Sequence, residues 1–160
     1  MMFPRIEGRL MQALEIESGD RVLEIGTGSG YLTACLANLA KEVVTIDIHP
    51  EFSESAAAKI EQQGLSNVTL LTGDALKTPV EGSPFDAIAV TGSLPTSEQA
   101  EIFRQQLAIG GRMFVVIGNP PVMSCLLITR RDEKIFQEEQ IFETEIAPLE
   151  NALAPVEFEF

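Results

Sequence analysis

One stretch constrains the fold more than any other: Val22-Leu23-Glu24-Ile25-Gly26-Thr27-Gly28-Ser29-Gly30. A short, largely apolar run leads straight into three glycines at alternate positions, and a helix-forming run begins at Tyr31. The apolar run reads as a buried strand. Glycines after it permit backbone angles and close approaches that other residues resist. The first turn of the following helix leaves amide donors without intrahelical partners. One glycine is enough for a turn. Three in this order point to a ligand cradle between a strand and a helix, the opening unit of a doubly wound α/β sheet.

The rest of the chain repeats the alternation. Pro4 suits the first turn of a helix, and Ile6, Leu10, Ala13 and Leu14 then share one face. Strands are expected at 21–25, 42–48, 68–71, 85–90 and 112–117, and helices at 31–40, 51–63 and 97–107. After Pro120-Pro121 the rhythm changes. Runs 125–129 and 135–142 look strand-like around the polar Arg130-Arg131-Asp132-Glu133-Lys134, which is a hairpin signal. The expected fold is therefore α/β: a doubly wound, mainly parallel sheet with helices on both faces and a C-terminal antiparallel hairpin. The length of 160 residues fits a single domain over 1–160. No element is predicted for the tail at 148–160.

Charge narrows the function classes. The net charge is -13, from 24 acidic and 11 basic side chains, with no Lys/Arg run. A nucleic-acid partner is disfavoured, because phosphate binding needs a basic face. No apolar run approaches the roughly 20 residues of a membrane span. No signal-peptide pattern opens the chain, so a cytoplasmic location is the default. Cys35 and Cys125 are far apart without metal-ligand spacing, so neither a metal nor a disulfide is expected. Both read as small core residues.

Two cofactors compete for the glycine loop. A dinucleotide site wants G-x-G-x-x-G facing a pyrophosphate, but Tyr31 occupies the third glycine's place. The loop reads instead as acidic-x-G-x-G-x-G led by Glu24, the arrangement of S-adenosylmethionine sites. That ligand carries an ammonium and a sulfonium and no phosphate, so a nearby carboxylate suits it and would oppose a pyrophosphate. Asp47 ends the second strand, 21 residues after Gly26, where a carboxylate can accept two ribose hydroxyls. The lesser alternative is a helix-capping or turn Asp. Asp74, after the third strand, is placed for the adenine amino group or for a turn. Asp86 reads as structural.

Residues 22–33 (VLEIGTGSGYLT), 67–74 (NVTLLTGD), 84–91 (PFDAIAVT) and 106–118 (QLAIGGRMFVVIG) resemble protein-L-isoaspartate O-methyltransferases. The likeness runs through about residues 1–142. It implies a class I methyltransferase using S-adenosyl-L-methionine, with isoaspartyl residues of proteins or peptides as acceptors. It implies a cofactor set of Glu24, Gly26, Thr27, Gly28, Ser29, Gly30, Asp47, Ile48, Asp74, Ala75 and Thr91, with no catalytic side chain assigned. A monomer or weak oligomer is expected. Family members carry a further segment ahead of the proline matching Pro4, including a serine two residues before it; here that place is Met2. The expectation is a chain that binds cofactor and methylates isoaspartyl peptides weakly or not at all. The alternatives are a non-catalytic cofactor-binding module and a methyltransferase with another acceptor.

Some motifs point elsewhere. Gly118-Asn119-Pro120-Pro121-Val122 resembles an amino-methyltransferase signature, but it follows the fifth strand and lacks the stacking aromatic. It reads as the switch into the hairpin. His49, the only histidine, reads as a loop residue, and Ser29 has no activating partner. Glu138 and Glu139 read as a solvated strand edge.

Overall fold

Pro4 stands at the start of the first helix, α1 (Pro4–Leu14), where its missing N–H costs nothing. Ile6, Leu10 and Leu14 bury one face of α1, and Glu7 is buried among them. The computed structural model describes residues 2–152, so the end of the tail, 153–160, lies outside the described residues. The strands are β1 (Arg21–Ile25), β2 (Glu42–Asp47), β3 (Val68–Thr72), β4 (Phe85–Leu94), β5 (Leu107–Asn119), β6 (Val122–Asp132) and β7 (Ile135–Glu143). Between them lie α2 (Tyr31–Leu39), α3 (Pro50–Gln62) and the single-turn α4 (Glu101–Arg104).

All seven strands form one sheet, in the order β3-β2-β1-β4-β5-β6-β7. β1 to β5 are parallel, and β6 and β7 close the sheet as antiparallel strands. The order reverses between β1 and β4, and that switch point opens a crevice at the carboxyl ends of the strands. Alternation along each strand separates two cores. On one face Val22, Val43, Ala87 and Phe114 pack under α1 and α2. On the other, Leu23, Val44, Ile88 and Met113 pack with Phe103 and Val80. Fully buried aliphatic side chains of this kind are each worth about 1.5–3 kcal/mol.

The parallel sheet and its terminal hairpin are as the sequence predicts. The helix expected at 97–107 is not. Ser97–Ala100 is a 3-10 turn, α4 ends at Arg104, and the chain joins the sheet at Leu107 opposite Phe85. The cause is burial: Phe103 and Leu107 are both fully buried and fill the space beside Phe85. β5 then absorbs Gly110-Gly111, its register against β4 slipping between Leu107 and Arg112. β4 runs on to Leu94, four residues past the expected end.

One smaller expectation also changes. Cys125 is buried, but Cys35 is only partly so, because Leu32 and Leu36 take the inward positions of α2. Glu138 and Glu139 lie exposed on the edge strand β7, as expected, and Glu138 also pairs with Arg104. Other arginines serve as staples. Arg112 donates to the Leu14 and Glu15 carbonyls and to Asp20 (2.7 Å), tying the end of α1 to β5. Asp86 accepts from the Arg21 N–H at 2.8 Å, the structural role expected of it. No helix among the described residues is long and apolar enough to cross a membrane.

Candidate functional site

The crevice at the switch point is lined by Glu24, the loop at 25–29, residues 46–49, residues 73–76, Thr91 and Gly92. Met2 and Glu7 of the first segment, and Ala147-Pro148-Leu149-Glu150 of the tail, complete it. Ten of the eleven sequence-predicted positions therefore meet in one cleft. Gly30 is the exception: it caps α2 behind the loop.

The loop takes its shape from glycine. Gly26, Gly28 and Gly30 all have positive φ. A Cβ on Gly26 would stand 2.2 Å from Thr91 Oγ1, so no larger residue fits. That hydroxyl lies 2.8 Å from the Ile25 carbonyl and 3.0 Å from that of Gly26, clamping the loop to β4. Thr91 thus holds the cradle in place. Beside Gly28 the space is open: a Cβ there would meet nothing within 4 Å.

Glu24 lies beneath the loop. It is 0% exposed. Its Oε2 accepts hydrogen bonds from Thr33 Oγ1 on α2 and from Thr45 Oγ1 on β2, the latter at 2.7 Å. Thr45 gives its one proton to the carboxylate, so Thr27, 2.7 Å away, is the donor in the Thr27–Thr45 contact. Oε1 has no partner among the described residues. Burial pushes the Glu24 carboxyl up to about 7; the two threonine hydroxyls pull it down, and the charges of Glu7 and Asp47 add to the rise.

Asp47 is also buried, and its carboxylate binds the loop. Oδ2 accepts from the Gly28 N–H (2.9 Å) and Oδ1 from the His49 N–H (3.0 Å). A carboxylate has about four acceptor positions, so two remain. The turn and ligand readings of Asp47 are therefore compatible. Asp74 is similar: Oδ1 accepts from the Leu76 N–H (3.0 Å) and Oδ2 from Asn151 Nδ2 (2.9 Å). Burial disfavours its charge, but hydrogen bonds from Asn151, Leu76 and Lys77 hold its carboxyl below the ordinary value. Ile48 and Ala75 supply apolar surface between the two acids.

The sequence reading missed the tail. Ser93 on β4 captures it, donating its N–H to the Ala147 carbonyl (2.9 Å) and its Oγ to that of Ile146 (3.1 Å). The Ser93 carbonyl accepts from the Leu149 N–H. From there the strap crosses to the loops after β2 and β3, where Glu150 meets His49 Nε2 at 2.7 Å and Asn151 meets Asp74. His49 thus lines the cleft and anchors the strap. Glu7 was missed too, its acidic side chain hidden in an apolar helical face.

The cleft is strongly acidic. Glu7, Glu24, Asp47, Asp74 and Glu150 line it, with no Lys or Arg. Such a site attracts a cationic ligand and opposes a phosphate. Among the described residues no group of three or more His, Cys, Asp or Glu is placed to hold a metal.

Comparison with known proteins agrees. Residues 2–152 match the family model of protein-L-isoaspartate(D-aspartate) O-methyltransferase (PCMT). The protein-L-isoaspartate O-methyltransferase of Paracoccus denitrificans is 38% identical over 150 residues, covering 94% of this chain and 68% of that protein. That of Anaeromyxobacter dehalogenans is 40% identical over 148 residues, covering 91% and 70%. The chain thus spans about two thirds of the length of these relatives. A solved protein-L-isoaspartate O-methyltransferase superposes with a TM-score of 0.83 at 27% identity, covering 94% of this chain and 48% of the other. A Plasmodium falciparum structure in complex with S-adenosyl-L-homocysteine, described as a beta-aspartate methyltransferase, shares the fold at a TM-score of 0.76 and 22% identity, covering 94% and 75%. The chain belongs to the protein-L-isoaspartate O-methyltransferase family.

Proposed function

We propose that this chain binds S-adenosyl-L-methionine in the acidic cleft and transfers its methyl group to the free carboxylate of isoaspartyl residues in proteins. The observation that carries this reading is the family match, because residues 2–152 include every element that lines the cleft. The residues present suit the cofactor. Glu24 offers a buried carboxylate oxygen without a partner, and no basic side chain competes for it. Asp47 retains two acceptor positions for the ribose hydroxyls. Asp74 and the Ala75 backbone stand for the adenine end, with Gly26, Thr27, Gly28 and Ser29 along the amino-acid end.

When bound, the cofactor would supply an activated methyl on its sulfonium for a carboxylate oxygen of the acceptor, with S-adenosylhomocysteine as the leaving group. An isoaspartyl carboxylate is already ionised at neutral pH. No side chain has to remove a proton. The protein's task is to hold donor and acceptor in line and to exclude water, and such positioning supplies much of the rate. The glycine loop fixes the donor end, and the strap at 146–150 forms the adjoining wall. A radiolabelled methyl-transfer assay on an isoaspartyl peptide, with the matching aspartyl peptide as control, tests the reading. Label on the isoaspartyl peptide alone is expected, at low turnover. Label on neither, from a chain that binds the cofactor, would overturn the acceptor assignment.

A further inference from the structure

Glu7 is a second carboxylate at the cleft, and the glycine motif does not account for it. It sits on the inward face of α1, 8% exposed, between Ile6 and Leu10 of the core. It lines the cleft together with Glu24, and its charge is felt there. No side-chain hydrogen bond or ion pair ties Glu7 to another described residue. Glu24 Oε1, fully buried, is likewise without a donor. A carboxylate oxygen this deeply buried normally has a cationic or hydrogen-bonding partner, because unpaired burial is costly. The cleft supplies no Lys or Arg, and no metal-binding group is present among the described residues. The partner left open to Glu24 Oε1 is therefore a small cation bearing N–H donors that enters from the cleft, and Glu7, whose charge acts on Glu24, lines that cleft.

We infer that Glu7 and Glu24 together seat the ammonium group at the amino-acid end of the cofactor, with Glu7 acting as a specificity residue for that group. The inference rests on the cofactor assignment above. Glu24 meets the ammonium from beneath the loop and Glu7 from α1. A three-donor ammonium can serve both carboxylates at once. The first helix thereby becomes part of the cofactor site.

The test compares two ligands by calorimetry on the 160-residue chain. S-adenosylhomocysteine carries the ammonium. 5′-Methylthioadenosine keeps the adenosine and thioether but has no amino-acid end. Glu7→Gln, nearly isosteric, is expected to weaken S-adenosylhomocysteine roughly tenfold and to leave 5′-methylthioadenosine unchanged, which also reports that the cleft is folded. Equal weakening of both ligands, or of neither, would overturn the inference. Should Glu7→Gln not fold, Glu7→Asp keeps the charge with a shorter reach. A loss confined to S-adenosylhomocysteine then supports the inference, and an equal loss or none refutes it. Failure of the wild-type chain to bind either ligand would remove the cofactor assignment itself, and the inference with it.

Discussion

Gly28 and Pro148 line the same cleft, yet the chain builds their surroundings in opposite ways. Gly28 belongs to a unit made within a few dozen residues: β1, the glycine loop, α2 and β2. Its N–H is fixed by Asp47, and the loop beneath it rests on Glu24, Thr27, Thr33 and Thr45. Pro148 comes from the far end of the chain, where Ser93 of β4 holds the backbone on either side of it and Ile146 and Leu149 pack against the two cores. The first wall is buried, and several strands and a helix determine it. The second is a strap whose outer contacts, His49 to Glu150 and Asn151 to Asp74, are exposed. A buried cradle for the donor and a more exposed wall beside it suit the proposed transfer to a bulky protein acceptor.

Breaking the cradle should cost most. Gly26→Val would drive a side chain into Thr91 and impose a positive φ on a β-branched residue. Loss of cofactor binding together with a lowered Tm is expected; a variant that binds normally would mean the loop is not the cradle. Asp47→Ala comes next. On the proposed reading it removes charge-assisted hydrogen bonds to the ribose worth about 1.5–3 kcal/mol, so affinity for S-adenosylhomocysteine should fall roughly ten- to a hundredfold. It also orphans the Gly28 N–H, so stability should drop by about 1–3 kcal/mol, which a urea titration would register. Unchanged affinity in a folded variant would leave Asp47 only its turn role.

The strap should respond differently. Ser93→Ala deletes the hydroxyl bond to the Ile146 carbonyl, a loss of about 1 kcal/mol. Methyl transfer should suffer more than cofactor affinity, seen as a raised KM for the peptide. Equal losses in both would erase the distinction between the walls. Asn151→Ala should have the smallest effect, a change of no more than a few fold in S-adenosylhomocysteine affinity, because its contact to Asp74 is exposed.

The same contrast explains what the sequence discloses. The glycine loop, Asp47 and Asp74 stand at fixed offsets around strand ends, so spacing alone marks them. The hairpin after Pro120-Pro121 is legible because alternating apolar runs flank a polar turn. Glu7 is hidden because one acid in an amphipathic helix looks like surface, and only packing shows that it faces inward. Ser93 and the strap are hidden because pairing across more than fifty residues leaves no local trace. The short α4 is hidden because Leu107 follows the demands of the sheet, overriding the helical pattern around it.

Protonation gives a finer test of the cradle. The Glu24 carboxyl sits at about 7 in the folded chain against an ordinary 4.5, with Glu7 and Asp47 as its charged neighbours. Between those values the folded state holds a proton that the unfolded state has released, so its contribution to stability declines as pH rises and is gone above about 7. Without cofactor, stability should therefore fall from about pH 4.5 to about pH 7, and Glu24→Gln should flatten that slope. A bound ammonium takes the proton's place, so saturating S-adenosylhomocysteine should flatten it as well. A slope that Glu24→Gln leaves unchanged would contradict the assignment.

If the acidic, glycine-walled cleft selects this cofactor by charge, calorimetry will register the selection. Titrating the 160-residue chain with S-adenosylhomocysteine and separately with NADH should give saturable binding of the first, weakened by Asp47→Ala, and none of the second. Saturable NADH binding without an S-adenosylhomocysteine response would contradict the account.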